Sequence, residues 1–424
     1  MALPPASPTE PRPAGLSTQT PPPMDLDRWI RQRALELGFS QVGACAAHLP
    51  RDSALLHDWI AQGKHGTMEW MARTAATRLD PEELLPGVRS VIVVALNYAA
   101  HSGPGPSRAV TADSHGEGQR GVDEPPGGRV SIYARGRDYH RVLIQRLEKL
   151  RREVQGRATG CRTRVCVDTS PLLERYWAQA AGLGWIGKNT NLIVEHLGSW
   201  VFLGALLCDI ELRADSPGVD RCGTCRRCLE ACPTRAFDGP WSLDSRRCVS
   251  YLTIEHRGEI EPDLARGMGD WVFGCDDCQT ICPWNRFAVP TSVADFDRDP
   301  LTRLPLERLA DLSEAEFDTL TRGRGLRRAR RHGLRRNALV ALGNSATARA
   351  LGPLEKALDD PDPTLRRQAA RSLARVGAAC KNAGAHRALA ARLGVESDPS
   401  TVRAMKEALA ELTEAAGDTR EART

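Results

Sequence analysis

The feature that most constrains this chain is a run of four cysteines, "CGTCRRCLEACP", which begins at Cys222 and ends at Pro233. A second run, "CDDCQTICP" from Cys275 to Pro283, repeats the pattern with only three cysteines. Eight of the 13 cysteines lie between Cys222 and Cys282. In a reducing compartment, cysteines clustered in this way bind metal more often than they form disulfides. The two runs therefore predict a metal centre.

The spacing of the first run, C-x2-C-x2-C-x3-C-P, is that of a bacterial ferredoxin, in which the fourth cysteine binds the other cluster of a pair. The three-cysteine run then needs one more ligand, which the isolated cysteine in "SRRCVSYLT" supplies. This crossed arrangement predicts two 4Fe–4S clusters, with the ligands Cys222, Cys225, Cys228 and Cys282 for the first and Cys232, Cys248, Cys275 and Cys278 for the second. Zinc also takes four thiolates, but the crossed spacing with a proline after each run favours clusters. Two neighbouring clusters indicate electron transfer without identifying what is reduced.

Length and composition predict a globular protein of two or three domains, because the chain has 424 residues and a hydrophobic content of 41%. No apolar run reaches the roughly 18–20 residues that span a bilayer, so we expect no membrane association. Residues 1–23 are proline-rich, lack the features of a secretory signal and are expected to be a disordered tail. We therefore expect a cytoplasmic protein. The remaining cysteines are expected to be small buried apolar residues: Cys45, Cys161, Cys166, Cys208 and Cys380.

Strands and helices alternate before the cysteine runs, which predicts an α/β domain over residues 24–214. Strands are expected at "SVIVVALNY", "TRVCVDT" and "GSWVFLGALLCDIEL", and helices at "MDLDRWIRQRALELG" and "RVLIQRLEKLRREVQ". Residues 99–128, rich in Gly, Pro, Ser and acidic residues, predict a long exposed loop. The "DYH" at 138–140 begins like the D-x-H-x-x-G motif that supplies histidine to a corrinoid cobalt. Leu143 replaces the glycine, so His140 is not expected to bind cobalt.

A ferredoxin-like two-cluster module is assigned to residues 215–290, and beyond it the composition changes. "GLRRNALVALGNSA" and "TLRRQAARSLARVGAA" align with Leu334 over Leu365, a period of 31 residues. Such a period predicts stacked helical hairpins of the HEAT type, because one pair of helices cannot bury its apolar face alone. We assign the repeats to residues 291–415 and leave 416–424 as a tail.

An arginine run, "TRGRGLRRARRHGLRR" at residues 321–336, leads into the first repeat. It has eight arginines and no acidic residue, although the net charge of the whole chain is only +5. A charge run is usually a solvated face, but this density of one sign favours a nucleic-acid phosphate backbone as the partner. The predicted contacts are Arg327, Arg328, Arg330, Arg331 and Arg335.

The order of these motifs resembles the epoxyqueuosine reductase family. The resemblance is carried by "YARGRDYHRVL", "VDTSPLLERYWAQAAGLGWIGKNTNLI", "GSWVFLGALL", "CGTCRRCLEACPTRAF", "RRCVSYLTIEHRG", "GCDDCQTICPWN" and "LRRNALVALGN", and it covers most of residues 25–380. It implies a two-electron reduction of epoxyqueuosine to queuosine, with loss of water, at the wobble position of tRNAs with GUN anticodons (those for Tyr, His, Asn and Asp). It further implies a cobalamin and two 4Fe–4S clusters. The electron donor is not identified by the sequence, and we expect a monomer.

The resemblance also implies roles for individual residues. Asp168 matches the family's proton donor, since an epoxide oxygen leaves well only when protonated and a carboxyl group in an apolar pocket can keep its proton near neutral pH. The alternative for Asp168 is a helix cap, and Asp138 is expected as a second acid. Besides Asp168, the residues expected near cobalamin are Arg78, Ser131, Asn189, Leu192, Leu203, Ser250, Asp276 and Asp277. Arg175 and Lys188 are candidates for phosphate or propionamide contacts, with surface salt bridges as the alternative.

Two other classes of protein fit parts of the sequence. One is a cobalamin- and iron–sulfur-dependent enzyme like the reductive dehalogenases, acting on small molecules. The arginine run and the repeats count against it, because a small substrate needs neither. The other is a non-enzymatic electron carrier, which would not need an α/β domain with a buried carboxyl group.

Overall fold

The computed structural model describes residues 25–48, 53–100, 126–297 and 301–421. The proline-rich tail and most of the loop predicted at 99–128 lie outside these residues. The strands are β1 (Gln41–Ala46), β2 (Ser90–Asn97), β3 (Gly127–Val130), β4 (Thr163–Cys166), β5 (Trp185–Ile186), β6 (Leu192–Ile193), β7 (Val201–Cys208), β8 (Phe237–Gly239), β9 (Ser242–Leu243), β10 (Trp271–Phe273) and β11 (Arg303–Pro305).

Helices surround and follow these strands, and within the described ranges none is both long and apolar enough to cross a bilayer. They are α1 (Leu26–Glu36), α2 (Ser53–Ala61), α3 (Glu69–Arg73), α4 (Ala75–Leu79), α5 (Tyr139–Arg157), α6 (Glu174–Ala180), α7 (Arg227–Glu230), α8 (Val249–Ile254), α9 (Pro262–Gly267), α10 (Asp277–Thr280), α11 (Ala294–Asp297), α12 (Leu306–Ala310), α13 (Glu314–Thr321), α14 (Arg330–Ser345), α15 (Leu351–Ala357), α16 (Pro363–Ala379), α17 (Ala383–Leu393) and α18 (Pro399–Glu421).

The first domain is built on a four-stranded sheet with the order β1-β2-β7-β4. Every neighbouring pair is antiparallel, whereas alternating strands and helices more often give a parallel sheet. All eight residues of β2 are buried. Ile92 and Val94 face a core shared with α1 and α5, while Val91 and Val93 face a second core shared with α6. Because helices cover both faces, the central strands read in the sequence as continuous apolar runs.

A second sheet joins the three predicted domains. Its strand order is β10-β3-β11, in which β3 pairs in parallel with β10 and antiparallel with β11. These strands come from the cysteine-rich module, the first domain and the C-terminal region respectively. The predicted domain boundaries therefore cut through a shared sheet.

The C-terminal region consists of packed helices with the predicted repeat. Leu334 on α14 and Leu365 on α16 are both buried in the same core, so equivalent positions of two repeats meet the same apolar interior. α16 packs in turn against α17 and α18. α18 continues to Glu421, so part of the segment assigned to the tail is helical.

Two adjacent side chains on α14 connect this region to the cysteine-rich module. Arg336 is fully buried and donates hydrogen bonds to the carbonyl oxygens of Leu252, His256 and Gly258. Asn337 is also fully buried, and its amide donates to the carbonyl oxygens at positions 253 and 272, at 2.8 and 2.9 Å. The five acceptors lie in or next to α8 and β10, so the repeats are held against the segments that carry the cysteines.

We predict that Asn337→Leu destabilises the protein by about 2–4 kcal/mol, because two buried carbonyl oxygens lose their donor at nearly constant side-chain volume. Urea unfolding followed by circular dichroism measures the loss. The matched control is Gln32→Leu, which replaces an amide on the exposed face of α1 and should change the free energy of unfolding by less than about 0.5 kcal/mol. Equal stability of the two variants would show that these hydrogen bonds contribute nothing net.

Candidate functional site

An acid–histidine cluster lies where α5 begins and β4 ends. Asp138 caps α5, accepting a hydrogen bond from the backbone N–H of His140, and also contacts the Nδ1 of His140 at 2.7 Å. The Nε2 of His140 lies 2.9 Å from a carboxylate oxygen of Asp168. Tyr139 stacks on Phe202 with ring centroids 4.2 Å apart and holds the start of the helix on β7. One imidazole thus connects the two acids that the sequence analysis proposed.

His140 is positively charged at neutral pH in this arrangement. Burial lowers the pKa of His140, but the hydrogen bonds to Asp138 and Asp168 outweigh burial and raise it to about 9. The pKa of Asp138 lies below its usual range, chiefly because of its hydrogen bond to His140. The cluster therefore contains an imidazolium between two carboxylates, and the acidic proton is on the histidine.

The structure does not support the expectation that Asp168 keeps its own proton near neutral pH. Partial burial raises the pKa of Asp168, but the hydrogen bond and the charge of His140 offset this, and the net shift is downward. Its side chain is 59% exposed, so the apolar pocket expected from "VCV" does not enclose it. The helix-cap alternative also fails, since α6 begins at Glu174 and Asp168 stands in a turn with a positive φ of 22°. Such a backbone conformation is strained for a non-glycine residue.

Glu174 is a second site residue that the sequence analysis did not single out. Burial is the largest cause that raises its pKa, to about 7, and Asp168 adds to the effect. Its Oε1 atom is buried without a hydrogen-bond partner among the described residues. Arg78 is also buried, donates one hydrogen bond to Thr74, and its charge acts on Glu174. This polar lining with spare hydrogen-bonding capacity suits a ligand that carries amide groups, as a corrin does.

The eight clustered cysteines form two sets, which we call the outer and inner thiols. The outer thiols, Cys222, Cys225, Cys228 and Cys282, line one cavity of about 350 Å³. The inner thiols are Cys232, Cys248, Cys275 and Cys278. Burial, followed by the charges of Cys248 and Cys232, raises the pKa of Cys278 well above its usual range. The outer four thus share one cavity, and Cys278 interacts with Cys248 and Cys232 of the inner four, which is the proximity that the crossed assignment requires.

Neither set resembles a compact single-ion site. Within the described part of the chain, no group of three or more His, Cys, Asp or Glu side chains is arranged to hold one metal ion. A 4Fe–4S cluster is wider than a single ion, so its thiolates stand further apart than the four ligands of zinc. The five other cysteines behave as expected for apolar residues, with four buried and Cys380 half-buried.

The inner thiols adjoin the acid–histidine region. Asn189 is buried and donates a hydrogen bond to the carbonyl oxygen of Cys278 at 3.1 Å. The charge of Arg175 acts on the thiol of Cys248 and on the carboxylate of Asp168. Arg175 is exposed, and its described hydrogen bond goes to the carbonyl oxygen of Thr190. Arg175 thus interacts with both an inner thiol and Asp168, while Asn189 contacts the backbone of the inner thiol Cys278.

The other candidate cofactor residues have more varied surroundings. Ser131 and Asp276 are buried and bind each other, and Asp276 also accepts from the backbone N–H of Ile132, so this pair already satisfies much of its hydrogen bonding. Asp277 accepts from the indole of Trp271. Leu192 is buried and Leu203 half-buried in the core between α6 and the main sheet, and Ser250 on α8 is half-buried.

Lys188 does not fit the suggested role in binding phosphate. Its side chain is buried, and its ammonium group donates to the carbonyl oxygens of Gly223 and Cys225 in the first cysteine loop. It also lines the cavity of the outer thiols. Lys188 therefore places a positive charge beside thiolates instead of at the surface.

The arginine run divides into exposed and structural members. Arg327, Arg328 and Arg330 are exposed, and Arg328 pairs with Glu255 at 2.8 Å and lies over the ring of Trp70. The charge of Asp168 acts on Arg328, which places this part of the run near the acid–histidine cluster. The backbone agrees, because the N–H of Asp138 donates to the carbonyl oxygen of Gly323.

Two of the predicted nucleic-acid contacts are engaged within the protein. Arg331 is half-buried and pairs with the exposed Glu314 at 2.6 Å. Arg335 is only 12% exposed, because it binds the buried carboxylate of Asp360 and the carbonyl oxygen of Ala310. The structure thus does not support Arg335 as a nucleic-acid contact, since releasing it would leave Asp360 buried and unpaired.

Three families match separate parts of the chain. The 4Fe-4S double cluster binding domain matches residues 221–285, and HEAT repeats match residues 324–421. These matches confirm the predicted double-cluster module and the helical repeats. The family "Epoxyqueuosine reductase QueG, DUF1730" matches residues 78–169, which contain the acid–histidine cluster.

Full-length relatives agree with these partial matches. The epoxyqueuosine reductase of Xanthomonas campestris pv. campestris is 41% identical over 359 residues, which cover 84% of this chain and 98% of the relative. That of Gloeobacter violaceus is 45% identical over 330 residues, covering 76% and 97%. A crystal structure of epoxyqueuosine reductase with an epoxyqueuosine-modified stem loop of tRNA-Tyr matches with a TM-score of 0.79 at 27% identity, covering 92% of this chain and 99% of that one. Because the identity extends over almost the full length of these relatives, the chain belongs to the epoxyqueuosine reductase family.

Proposed function

We propose that the protein reduces epoxyqueuosine in tRNA to queuosine. The reaction adds two electrons and two protons to the epoxide, forms a carbon–carbon double bond and releases the oxygen as water. The observation that carries the proposal is His140, an imidazolium held between Asp138 and Asp168 beside the exposed Arg328. This arrangement combines a proton source with a positive surface that suits a phosphate backbone.

His140 is the source of the proton in this proposal. Asp168 holds the His140 ring in place and relays the proton to the substrate. The two carboxylates hold the ring at both nitrogens, so the imidazole cannot turn away when a substrate binds. Asp168 is exposed enough to meet the departing oxygen and can pass on the proton that it receives from His140. Glu174, with its pKa raised to about 7 by burial, can hold a second proton at neutral pH.

A cobalamin, which carries amide groups, suits the spare hydrogen-bonding capacity found at Arg78 and Glu174. When bound, it would supply reducing equivalents to the epoxide, drawn singly from the two 4Fe–4S clusters. Arg78 and Asn189 would hold its amide groups, and Leu192 and Leu203 would contact its apolar edge. Asn189 also reaches the inner thiols through Cys278, which keeps the cofactor close to one cluster.

The exposed arginines provide the contact to tRNA. The ion pair of Arg327 with Asp318 is solvated on both sides, so exchanging its carboxylate for a phosphate costs little. Glu255, the partner of Arg328, has a second arginine, Arg257, at 3.9 Å when Arg328 turns to a phosphate. GUN anticodons as the substrate class, a separate one-electron donor, a cytoplasmic location and a monomeric state remain predictions of the same proposal.

Analysis of tRNA from cells that lack this protein tests the function directly. We expect epoxyqueuosine to accumulate in tRNA and queuosine to disappear, as measured by mass spectrometry of digested nucleosides. An unchanged queuosine content would contradict the proposal. Equal activity of the purified enzyme on the free nucleoside and on tRNA would instead favour a small-molecule enzyme, and purified protein without bound corrinoid would favour an electron carrier.

The first prediction from the proposed function concerns the pH dependence of turnover. Because the pKa of His140 is raised to about 9, the imidazolium is complete at neutral pH and is lost as the pH rises through that value. The single-turnover rate of pre-reduced enzyme should therefore fall above a pH of about 9. Asp168→Asn should shift this fall to lower pH, because one of the groups that raises the pKa is gone, and should slow turnover by about 10²–10⁴-fold.

The control for Asp168→Asn is Asp209→Asn, which removes another paired carboxylate, the partner of Arg162. Its pH profile should match that of the wild type. His140→Gln should be slow at every pH and show no alkaline fall. An alkaline fall at the wild-type pH in His140→Gln would assign it to a different group.

The second prediction concerns the crossed cysteines. The protein should contain about eight irons per chain in two 4Fe–4S clusters. Cys232→Ala and Cys278→Ala should both lose the inner cluster and give the same electron paramagnetic resonance spectrum, that of the outer cluster. Cys282→Ala and Cys225→Ala should both lose the outer cluster and give the spectrum of the inner cluster. Cys380→Ala, a cysteine outside both sets, is the control and should keep both. Matching spectra for Cys232→Ala and Cys225→Ala would refute the crossing.

The third prediction concerns the arginine run. Each phosphate contact contributes roughly −0.7 to −0.9 to the slope of log K against log salt. Changing Arg328 and Arg330 together to Gln should therefore reduce the magnitude of that slope by about 1.4–1.8 and weaken tRNA binding. The matched control changes Lys149 and Arg152, two exposed cations on α5, and should leave the slope unchanged. An unchanged slope in the test variant would show that the arginine run is a solvated charged face without phosphate contacts.

A further inference from the structure

The outer thiols lie beside an unusual part of the protein surface. The cavity that they line is also lined by Arg221, Arg286 and Phe287, and all three of these side chains are exposed. The cavity therefore opens at the surface, directly beside the outer thiols. An electron carrier that reaches this opening would approach the outer cluster more closely than any other redox centre of the protein.

The inner thiols lie further along the path toward the site. Asn189 donates to the carbonyl oxygen of Cys278, and the charge of Arg175 acts on both Cys248 and Asp168. The charge of Cys228, an outer thiol, also acts on Cys278, so the two sets are neighbours. Electrons would therefore enter at the outer cluster, pass to the inner cluster and leave toward the substrate.

Exposed arginines without an ion pair among the described residues lie at the opening and in the cysteine loop that lines it. Arg226, Arg227 and Arg286 are exposed, and among the described residues none has a carboxylate within ion-pair distance. Arg221 pairs with Glu195 at 2.8 Å. Arg286 lies over the ring of Phe287, with 4.5 Å to its centroid, which holds a cation next to an aromatic surface.

Apolar side chains near Arg221 and Arg286 in the sequence are also exposed. Phe287 is 47% and Val219 is 74% exposed. Trp241 is 51% exposed and is fixed beside the cavity, because its backbone N–H donates to the carbonyl oxygen of Lys188. A mixture of cations and exposed apolar groups is typical of a transient protein interface. A phosphate backbone is bound by charged and polar groups, and exposed valine and phenylalanine side chains do not contribute to such contacts.

We propose that this surface, formed by Val219, Arg226, Arg227, Trp241, Arg286 and Phe287, docks the physiological electron donor, an acidic protein that carries one electron at a time. The proposal rests on the proposed function, which requires two electrons per epoxide. Each encounter oxidises the donor by one electron and reduces the outer cluster by one, so two encounters supply one turnover. Opposite charges steer such an encounter. The partner dissociates afterwards because electron-transfer interfaces are small and weak.

The test measures electron transfer from a defined acidic probe, a chemically reduced plant-type ferredoxin, by stopped-flow absorbance. The second-order rate constant for the wild type should fall as salt rises. Arg286→Glu and Arg227→Glu should each lower it at least about tenfold at low salt. Reduction by dithionite, iron content and tRNA affinity should stay as in the wild type. Arg152→Glu on α5 is the charge-matched control and should have no effect.

The outcomes separate the possibilities. If the second-order rate constant for ferredoxin changes neither with salt nor with the two substitutions, the proposed docking surface is wrong. Weaker tRNA binding in Arg286→Glu and Arg227→Glu, with unchanged ferredoxin rates, would overturn it in favour of a tRNA contact. If dithionite-reduced wild type fails to convert epoxyqueuosine, the proposed function fails, while the salt-dependent ferredoxin rate still decides whether the surface receives electrons.

Discussion

The structure depends on five hydrogen bonds that Arg336 and Asn337 donate from α14 to the cysteine-rich module. Burial lowers the pKa of Arg336 to about 10, so the guanidinium is still charged at neutral pH and its carbonyl partners are needed to solvate it. The carbonyl oxygens that accept the five hydrogen bonds lie between Cys248 and Cys275 in the sequence. The same contacts therefore fix the repeats relative to the inner thiols and present the exposed end of the arginine run next to Asp168.

The acid–histidine cluster shows how two carboxylates and an imidazole redistribute one proton. A carboxyl group enclosed by apolar side chains would hold its own proton, but Asp168 is exposed and paired, so its pKa falls while that of His140 rises. The proton is then available from a group that stays charged across the physiological range. Glu174 follows the other rule, since its Oε1 is buried with no hydrogen-bond partner among the described residues, and burial raises its pKa.

The arrangement of the thiols gives electron flow a direction. The outer set adjoins a surface cavity lined by Arg286, which has no ion pair among the described residues, and the inner set adjoins Asn189 and Arg175. In the proposed assignment the last cysteine of each run, Cys232 or Cys282, belongs to the other set, so each run contributes to both sets. The buried Lys188 adds a positive charge beside the outer thiols, where negative cluster charge would otherwise be poorly solvated.

The sequence by itself determined whatever depends on local spacing: the buried strands from apolar runs, the helical repeats from a 31-residue period, and the double-cluster module from cysteine spacing. The tertiary structure decided what depends on contacts between distant segments. The quoted "DYH" and "LLERYW" contained His140 and Glu174, but nothing local shows that the imidazole reaches Asp168, 28 positions away. Nor does it show that the Oε1 of Glu174 is buried with no hydrogen-bond partner among the described residues. Likewise, eight arginines look alike in a run, and only the fold separates Arg335, bound to a buried aspartate, from Arg330 at the surface. Charge and spacing are properties of the chain, whereas a pKa and a free surface are properties of the environment that folding creates.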